Sequence, residues 1–392
     1  MGSLSLNAQV TISPDGVQRL RQNHLWIYSA DVEREPGGEA PPIVQVLDRA
    51  RNHLGYAFYS RRSQIRLRLL SRGSDPPTPE WIHERVKASV QRRRALIEAG
   101  VSCRLIFGEA DLLPSIVADL YSKQIVLQTL SYGAEVLKPL LVESLRNLLA
   151  PDGIYERNDV KARRLEGLEE IRGPLWGTTP PEIEIIEEGL RFLVDIPGGQ
   201  KTGFFLDQRE NRIAAGGYAF GRGLDCFANT GAFALRFSQK CESVTAIDSS
   251  AASLSQGMRN ANLNGITNID FREANVFDLL REMERAGETF DIICLDPPAF
   301  AKKRGALSAA RAGYKEINLR AMKILRPEGI LVTSSCSYQL SEREFLEIIS
   351  EASRDARRFT QTVERRGQSL DHPILVGMPE THYLKCFILR IM

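Results

Sequence analysis

Residues that could do chemistry recur at the ends of predicted strands in the second half of the chain. Four are acids or amides and one is a thiol: Asp225, Asp248, Asn275, Asp296 and Cys336. Ligands of open α/β sheets bind at the carboxyl ends of the strands, so these side chains would meet in one crevice. An acid at a single strand end is often only a turn former, but polar residues at three successive strand ends favour ligand binding.

Cys336 differs from four other cysteines of the chain in its surroundings. It lies in Ser-Ser-Cys-Ser at 334–337, after an apolar run. The other four lie within or beside apolar runs: Cys226, Cys241, Cys294 and Cys386. Small buried cysteines are common in protein cores, so those four suit packing. Because a thiolate is a nucleophile, the polar setting of Cys336 predicts a part in chemistry.

Strands and helices that would position these residues follow each other from residue 221 onward. GRGLDCFANTGAFAL at 221–235 predicts a strand, a small-residue turn and a helix. The turn is not G-x-G-x-x-G, so a dinucleotide site is only weakly indicated. Four strands follow in 244–248, 269–277, 290–296 and 329–333, with helices at 250–263, 277–286, 306–325 and 341–353. This order predicts an α/β, Rossmann-like domain.

The order of these elements resembles class I S-adenosylmethionine (SAM) methyltransferases. Two motifs narrow the resemblance: Asp-Pro-Pro-Ala-Phe at 296–300 and Ser-Ser-Cys-Ser-Tyr at 334–338. They are similar to those of the RlmI-type cytosine-C5 methyltransferases of large-subunit ribosomal RNA, in which a cysteine of the second motif is the nucleophile. Many RNA C5-methyltransferases carry another cysteine after the first motif. This chain and the RlmI type both lack it.

The resemblance implies SAM as the cofactor, with a different set of residues for each part of it. The methionine end would meet Asp225 and the turn that contains Phe227, Asn229 and Gly231. The ribose hydroxyls would meet Asp248, beside Ser249, and the adenine would meet Asn275 and Val276. Asn275 departs from the Asp that methyltransferases often carry there, although an amide can still bond the adenine edge. Asp296 is the last of the residues that are predicted to bind SAM.

GFFLDQR at 203–209 resembles a family motif that packs over the methionine end of SAM. Phe204 would supply an apolar wall, and Asp207 or Arg209 a polar contact. Asp207 could equally cap a helix N-terminus, and both roles could hold together. Gly-Gln-Lys-Thr at 199–202 lacks the glycines of a P-loop, which excludes nucleotide triphosphate hydrolysis.

The implied reaction needs covalent help, because C5 of cytosine is too weak a nucleophile to take a methyl group unaided. A thiolate of Cys336 adding at C6 would make C5 enamine-like. Asp296 could bond N3 of the ring, and either Asp296 or water could remove the C5 proton. The RNA would meet Lys201, Pro297, Phe300 and Lys302, although a charge run such as 302–304 is more often simply solvated.

Two other functions fit parts of the sequence. Asp-Pro-Pro followed by an aromatic also positions an exocyclic amine in N-methyltransferases, with Phe300 as the platform on which the base stacks. A non-catalytic RNA-binding protein could also keep the fold. Retained activity in Cys336→Ala would indicate the first of these functions, and absence of SAM binding would indicate the second.

The first half of the chain predicts two further domains. Residues 1–73 read as a small β-rich domain, with strands at 10–12, 43–47, 54–59 and 65–70 and a break at Ser13-Pro14-Asp15-Gly16. HLWIYSADV at 24–32 resembles a PUA domain, an RNA-binding module. Residues 1–72 hold ten arginines against six acids. From composition alone, RNA binding and a solvated arginine face explain this excess equally well.

A mixed α/β middle domain is predicted over 74–190, and the methyltransferase domain over 191–392. In the middle domain we expect a helix at 81–99 with a solvated Arg92-Arg93-Arg94, and strands at 104–107, 115–119 and 124–129. Residues 156–168 resemble a polar family loop near the substrate entrance. A hairpin is predicted from 182–186 and 190–195.

Composition narrows the class of protein. The 392 residues carry a net charge of only +2, so RNA binding must rely on local patches. We expect no membrane span, because no run of 18 apolar residues occurs, and no signal peptide, because no charged start precedes an apolar core. We expect no metal site, because no C-x-x-C pair occurs. A cytoplasmic enzyme with reduced thiols is predicted, and it could form a homodimer.

Overall fold

The computed structural model describes residues 8–38, 40–199, 202–300 and 307–392. Two predicted RNA contacts, Lys201 and Lys302, lie outside the described residues. The chain divides into two compact units. The first contains the chain up to Ile185, with 194–206 and 371–381. The second contains 186–193, 207–370 and 382–392. The predicted division into three domains stays a proposal.

The first unit is built on two sheets. Its strands are β1 (Gln9–Ile12), β2 (Trp26–Tyr28), β3 (Val32–Arg34), β4 (Ile43–Leu47), β5 (His53–Tyr59), β6 (Ile65–Ser71), β7 (Cys103–Phe107), β8 (Ile116–Tyr121), β9 (Gln124–Thr129), β10 (Gly153–Asn158) and β11 (Ile171–Gly177). Its helices are α1 (Pro14–Arg21), α2 (Pro79–Arg92), α3 (Arg94–Glu98), α4 (Tyr132–Leu149) and α5 (Ala162–Leu165). The sheets have the orders β2-β6-β5-β4-β1-β3 and β11-β10-β9-β8-β7.

One hydrophobic core joins these two sheets. Buried Ile43 and Phe58 of the six-stranded sheet pack in the same cluster as Leu105 and Leu137. Helix α4 approaches β5 so closely that a Cβ added at Gly133 would lie 2.3 Å from the Phe58 ring. The predicted strands of residues 1–73 are all present, with β2 and β3 in addition.

The predicted break at Ser13–Gly16 is wrong, because helix α1 begins there. Ser13 is the N-cap, and its hydroxyl accepts the Gly16 N–H at 3.2 Å. Pro14 takes the first helical position, where the missing N–H costs nothing. Ser-Pro-Asp-Gly therefore starts a helix here, because leucine and valine side chains downstream bury one face.

The expectation of a solvated face over Arg92–Arg94 is wrong for its middle residue. Arg93 is buried and ends α2, where its guanidinium binds Asp111 Oδ1 at 2.6 Å and Oδ2 at 2.8 Å. The loop expected at 156–168 instead contains the end of β10 and α5. Arg163 of that segment is buried and donates to Glu135 Oε2 at 2.9 Å.

A two-stranded sheet follows, formed by β12 (Glu182–Glu187) and β13 (Leu190–Asp195), which confirms the predicted hairpin. The strands of the second unit are β14 (Arg222–Cys226), β15 (Ser243–Asp248), β16 (Ile269–Glu273), β17 (Phe290–Leu295), β18 (Leu325–Ser335), β19 (Thr360–Arg366) and β20 (Lys385–Ile391). Its helices are α6 (Arg209–Gly217), α7 (Ala232–Ser238), α8 (Ala251–Leu263), α9 (Val276–Ala286), α10 (Leu307–Ile324) and α11 (Glu342–Ala356).

The seven strands of the second unit form one sheet in the order β16-β15-β14-β17-β18-β20-β19. The first five strands in this order pair in parallel, and β20 is antiparallel to both its neighbours. Side chains alternate between the faces: Ile292 and Ile330 join the cluster under α6 and α7, whereas Ile293 and Leu331 join the cluster under α9, α10 and α11. The predicted Rossmann-like fold is confirmed.

Candidate active site

The turn after β14 has an unusual backbone. Phe227, Asn229 and Gly231 all lie in the left-handed region, with φ of 63°, 49° and 77°. That region is uncommon for a bulky side chain such as phenylalanine, and such strain concentrates at functional sites. A Cβ added at Gly231 would lie 3.1 Å from Leu235 and from Phe271. An added Cβ here would require its neighbours to move by a few tenths of an ångström, in a backbone conformation that favours glycine.

Asp225 lies beneath this turn and is only 1% exposed. Its Oδ2 accepts the Ala234 N–H at 2.8 Å, which fixes the start of α7. In the part of the chain that the structure describes, its Oδ1 is buried without a hydrogen-bond partner. Burial, together with the charges of Asp296 and Asp248, raises the pKa of this carboxyl group well above its ordinary value. A cationic or hydrogen-donating ligand would satisfy it.

Asp248, at the end of β15, holds two neighbouring loops. Its Oδ2 accepts the Asn229 N–H and its Oδ1 accepts the Ser250 N–H, both at 2.9 Å. The carboxylate is half-buried, and each oxygen keeps a lone pair for a ligand hydroxyl. Ser249 beside it is exposed. The structure thus brings together the polar ends of β14 and β15.

Asn275 caps the next helix. Its Oδ1 accepts the N–H groups of Phe277 at 2.9 Å and Asp278 at 3.4 Å at the start of α9. Its amide nitrogen donates no hydrogen bond among the described residues, and the side chain is exposed. Val276 is buried in the core. The asparagine therefore offers a ligand a donor, where an aspartate would offer only acceptors.

Gln208, rather than its predicted neighbours, connects the segment before β14 to the site. Its Nε2 donates to Asp296 Oδ1 at 2.7 Å, and its Oε1 accepts from Asn211 at 2.6 Å. Gln208 is 2% exposed, so these bonds are shielded from water. The sequence offered no signal for it beyond a polar residue between Asp207 and Arg209.

The prediction that Asp207 caps a helix is wrong. Gln208 is the N-cap of α6, and Asp207 Oδ2 instead accepts the Tyr383 hydroxyl at 2.6 Å. Arg209 is buried and pairs with Glu210 at 2.9 Å. Phe204 belongs to the first unit, where it is buried and its carbonyl accepts the Tyr121 hydroxyl at 3.3 Å. Their contacts with the cofactor stay predictions.

Cys336 lies directly after β18 and is half-buried. Its Sγ is 4.0 Å from the Pro297 carbonyl oxygen, so the Asp-Pro-Pro and Ser-Ser-Cys-Ser motifs meet. The register of β17 and β18 produces this, since Leu295 pairs with Thr333. The structure therefore brings together the two motifs that the sequence singled out.

The remaining five cysteines are all buried: Cys103, Cys226, Cys241, Cys294 and Cys386. Burial raises the pKa of Cys241 to about 11 and that of Cys386 to about 12. It raises the pKa of Cys226 and Cys294 well above the ordinary thiol value. These four thiols stay protonated at neutral pH and are poor nucleophiles.

Tyr314 of α10 hydrogen-bonds to the serines on both sides of Cys336. The Ser335 hydroxyl donates to the Tyr314 hydroxyl at 3.0 Å, and Ser337 Oγ lies 3.0 Å from it as well. Phe300 packs on the Tyr314 ring with centroids 4.6 Å apart, and on Phe277 at 5.8 Å. The predicted stacking residue Phe300 thus belongs to an aromatic cluster, and Pro297 is buried.

Lys385 is a charged residue of the site that the sequence reasoning missed. It is 3% exposed, and its Nζ donates to the carbonyl oxygens of Ser337 at 2.7 Å and Tyr383 at 2.9 Å. Burial lowers the pKa of Lys385 to about 8. A lysine inside the apolar run YLKCFILRI was the available signal.

Within the described ranges, no three His, Cys, Asp or Glu side chains are grouped so that they could hold a metal ion. No helix in the described part of the chain has the length and apolar character needed to cross a membrane.

Comparison with solved structures supports the fold. A proposed SAM-dependent methyltransferase from Streptococcus mutans is 20% identical, with a TM-score of 0.83 over 97% of this chain and 99% of that chain. A proposed methyltransferase solved in complex with SAH is also 20% identical, with a TM-score of 0.85 over the same shares.

Family models and curated relatives agree with this fold. Residues 10–72 match a PUA-like domain, and residues 173–378 match the S-adenosylmethionine-dependent methyltransferase family. Ribosomal RNA large subunit methyltransferase I of Tolumonas auensis is 40% identical over 98% of this chain and all of that protein. The same enzyme of Photobacterium profundum is 41% identical over 94% of this chain and 95% of that protein. The chain therefore belongs to the ribosomal RNA large subunit methyltransferase I family of SAM-dependent methyltransferases.

Proposed function

We propose that this protein methylates C5 of a cytosine in large-subunit ribosomal RNA, with Cys336 as a covalent nucleophile. The observation that carries the proposal is the position of the half-buried Cys336 Sγ, 4.0 Å from the Pro297 carbonyl beside Asp296. A thiol that is accessible at the carboxyl edge of the sheet can reach a ligand, whereas the other five are buried.

The residues at the ends of β14 and β15 fit SAM. The buried Asp225 Oδ1, which has no hydrogen-bond partner in the described part of the chain, suits the cationic methionine end. The two Asp248 oxygens can accept from ribose hydroxyls in addition to their backbone donors. Asn275 can donate its amide N–H to a ring nitrogen of adenine. SAM, when bound, supplies a methyl group activated by a sulfonium.

The residues that meet at this site support covalent catalysis. The Cys336 thiolate forms a bond to C6, the electron pair of the C5–C6 double bond becomes shared between C5 and C4, and the pair of the C4–N3 double bond moves onto N3. C5, which is now enamine-like, would take the methyl group that SAM supplies when bound. Loss of the C5 proton to a base restores the double bond and expels the cysteine sulfur. Asp296, whose Oδ1 accepts from Gln208 Nε2, is the residue that we propose to bond N3 of the ring.

RNA as the substrate is supported by two findings. Residues 10–72 match a PUA-like domain, and the relatives are named for large-subunit ribosomal RNA. Lys201 and Lys302 stay proposed contacts, and a homodimer stays a prediction.

Substitution of the nucleophile tests this function. We expect Cys336→Ala to lower methyl transfer to ribosomal RNA by on the order of 10³-fold or more while SAM binding persists, because only the covalent step is lost. Cys241→Ala is the matched control, since it removes a buried thiol elsewhere. Mass mapping of modified nucleosides in ribosomal RNA from cells lacking the protein identifies the base. Retained transfer by Cys336→Ala, or a missing methyl on an amino group, would indicate N-methylation instead.

A further inference from the structure

Lys385 lies at the first position of β20, opposite Ser335 in the antiparallel pairing with β18. That register places it beside the loop that carries Cys336. Two of the three N–H donors of its ammonium bind the carbonyl oxygens of Ser337 and Tyr383. The lysine therefore holds both the residue after Cys336 and the residue two before itself.

Two carbonyl oxygens, rather than an acid, bind the Lys385 ammonium. Among the described residues, none of the ion pairs that the structure shows involves Lys385. Burying a cation without an ion-pair partner is unfavourable, so such a group persists in proteins mainly where it has a function. If Lys385 served only to bind the two carbonyl oxygens, a neutral hydrogen-bond donor would be sufficient.

The titratable groups that act on Lys385 electrostatically are Cys336, Glu342 and Glu344, and Cys336 has the largest effect. Glu344 is occupied by the capping box of α11, where it accepts from the Ser341 N–H at 2.8 Å and hydroxyl at 2.7 Å. Glu342 is half-exposed on the same turn. Because Lys385 Nζ binds the carbonyl of the residue directly after Cys336, the loop geometry also brings this thiol to the side of the buried lysine.

We propose that Lys385 is a positioning residue that fixes the Cys336 loop through the Ser337 carbonyl and stabilises the Cys336 thiolate with its ammonium charge. This inference rests on the proposed function only in that the proposed reaction explains why a thiolate is needed at Cys336. Ionisation releases the thiol proton to solvent, and no further reactant is needed. With its pKa lowered to about 8, Lys385 stays largely protonated at pH 7 and loses its charge above pH 8.

Thiol alkylation tests the proposal without RNA or methyl donor. The rate at which iodoacetamide modifies Cys336 is measured against pH by peptide mass spectrometry, in the full-length protein. In Lys385→Met we expect the pH midpoint of the rate to rise by about one unit, which slows modification at pH 7 about tenfold. Lys315→Met is the control, since it removes a lysine from an exposed pair with Asp355.

A merely structural role would change the rate at high pH in Lys385→Met but would leave the midpoint where it is in the wild type, and that result would overturn the proposal. Should Lys385→Met fail to fold, Lys385→Arg decides. Arginine keeps the charge, so the midpoint must stay within about half a unit of the wild-type value. A higher midpoint in a folded Lys385→Arg would also overturn it. Failure of the proposed function is a separate result, visible as methyl transfer by Cys336→Ala.

Discussion

At the scale of single residues, Asp225 destabilises the ligand-free protein and at the same time offers a contact to a ligand. One of its oxygens anchors α7, whereas the other is buried without a hydrogen-bond partner among the described residues. Natural sites retain such groups when binding requires them, because the ligand supplies the missing contact. The raised pKa of Asp225 has the same origin, because burial makes the charged form of this carboxyl group less stable.

We expect Asp225→Asn to stabilise the ligand-free protein by about 1–2 kcal/mol at pH 7, because it removes a buried ionisable carboxyl group while its amide oxygen still accepts from Ala234. The raised native pKa means that the unfolded chain loses the proton first, so wild-type stability falls as pH rises from about 4 through that pKa. The advantage of Asp225→Asn should therefore vanish near pH 4. Urea denaturation at several pH values measures it.

Asp270→Asn provides the control for Asp225→Asn, since Asp270 is exposed on β16. Calorimetry should show about tenfold weaker SAM binding in Asp225→Asn and no change in Asp270→Asn. A ligand-free Asp225→Asn protein that is less stable at pH 7, with SAM affinity unchanged, would contradict both the burial argument and the ligand role of Asp225.

At the scale of the elements, the turn after β14 links backbone conformation to binding. Gly231→Ala must adopt a φ of 77° and place its Cβ 3.1 Å from Leu235 and Phe271. Gly265→Ala is a matched control, because it has a φ of 65° with open space around the added Cβ. Both should lose about 1 kcal/mol of stability from the left-handed backbone. Only Gly231→Ala should also weaken SAM binding, as measured by calorimetry.

Equal loss of SAM affinity in both glycine variants would show that the effect comes from general destabilisation. Unchanged affinity in Gly231→Ala would show instead that the turn tolerates a shift of a few tenths of an ångström. The first outcome would remove the turn from the proposed cofactor site, and the second would show that position 231 accepts alanine.

Sequence periodicity was sufficient for the parallel strands of the second unit, because parallel strands covered on both faces are continuous apolar runs. It did not predict the antiparallel strands β19 and β20. It failed where a local signal has two meanings. Ser13-Pro14 can begin a helix or a turn, and burial of the residues beyond it decides between them. Lys385 and Gln208 were missed for a different reason. Their importance depends on contacts with residues about 50 and 90 positions away, at Ser337 and Asp296, which one-dimensional patterns do not encode.

At the scale of the whole molecule, the chain enters the first unit more than once. Residues 371–381 return to it after the chain has formed most of the second unit. Asp371 accepts the Arg104 N–H at 2.7 Å and binds Arg93 through its carbonyl at 2.7 Å. Met378 is fully buried in the core of the six-stranded sheet. The first unit is therefore not encoded by a contiguous stretch, and a boundary drawn near 190 from composition could not reveal this.

This return segment gives the last prediction. Met378→Ala should lower the free energy of unfolding by about 2–4 kcal/mol, because it leaves a cavity in a closed core and removes the sulfur that accepts the Leu25 N–H at 3.1 Å. Met258→Ala is the control, since that side chain is 46% exposed on α8 and its loss should cost under about 0.5 kcal/mol. Urea denaturation of full-length variants measures both. Because the core around Met378 is formed with residues from the first 70 positions, its loss should also make that region more susceptible to proteolysis. Equal stability of the two variants would mean that residues 371–381 contribute nothing to the first unit, and a segment ending near 190 should then fold alone.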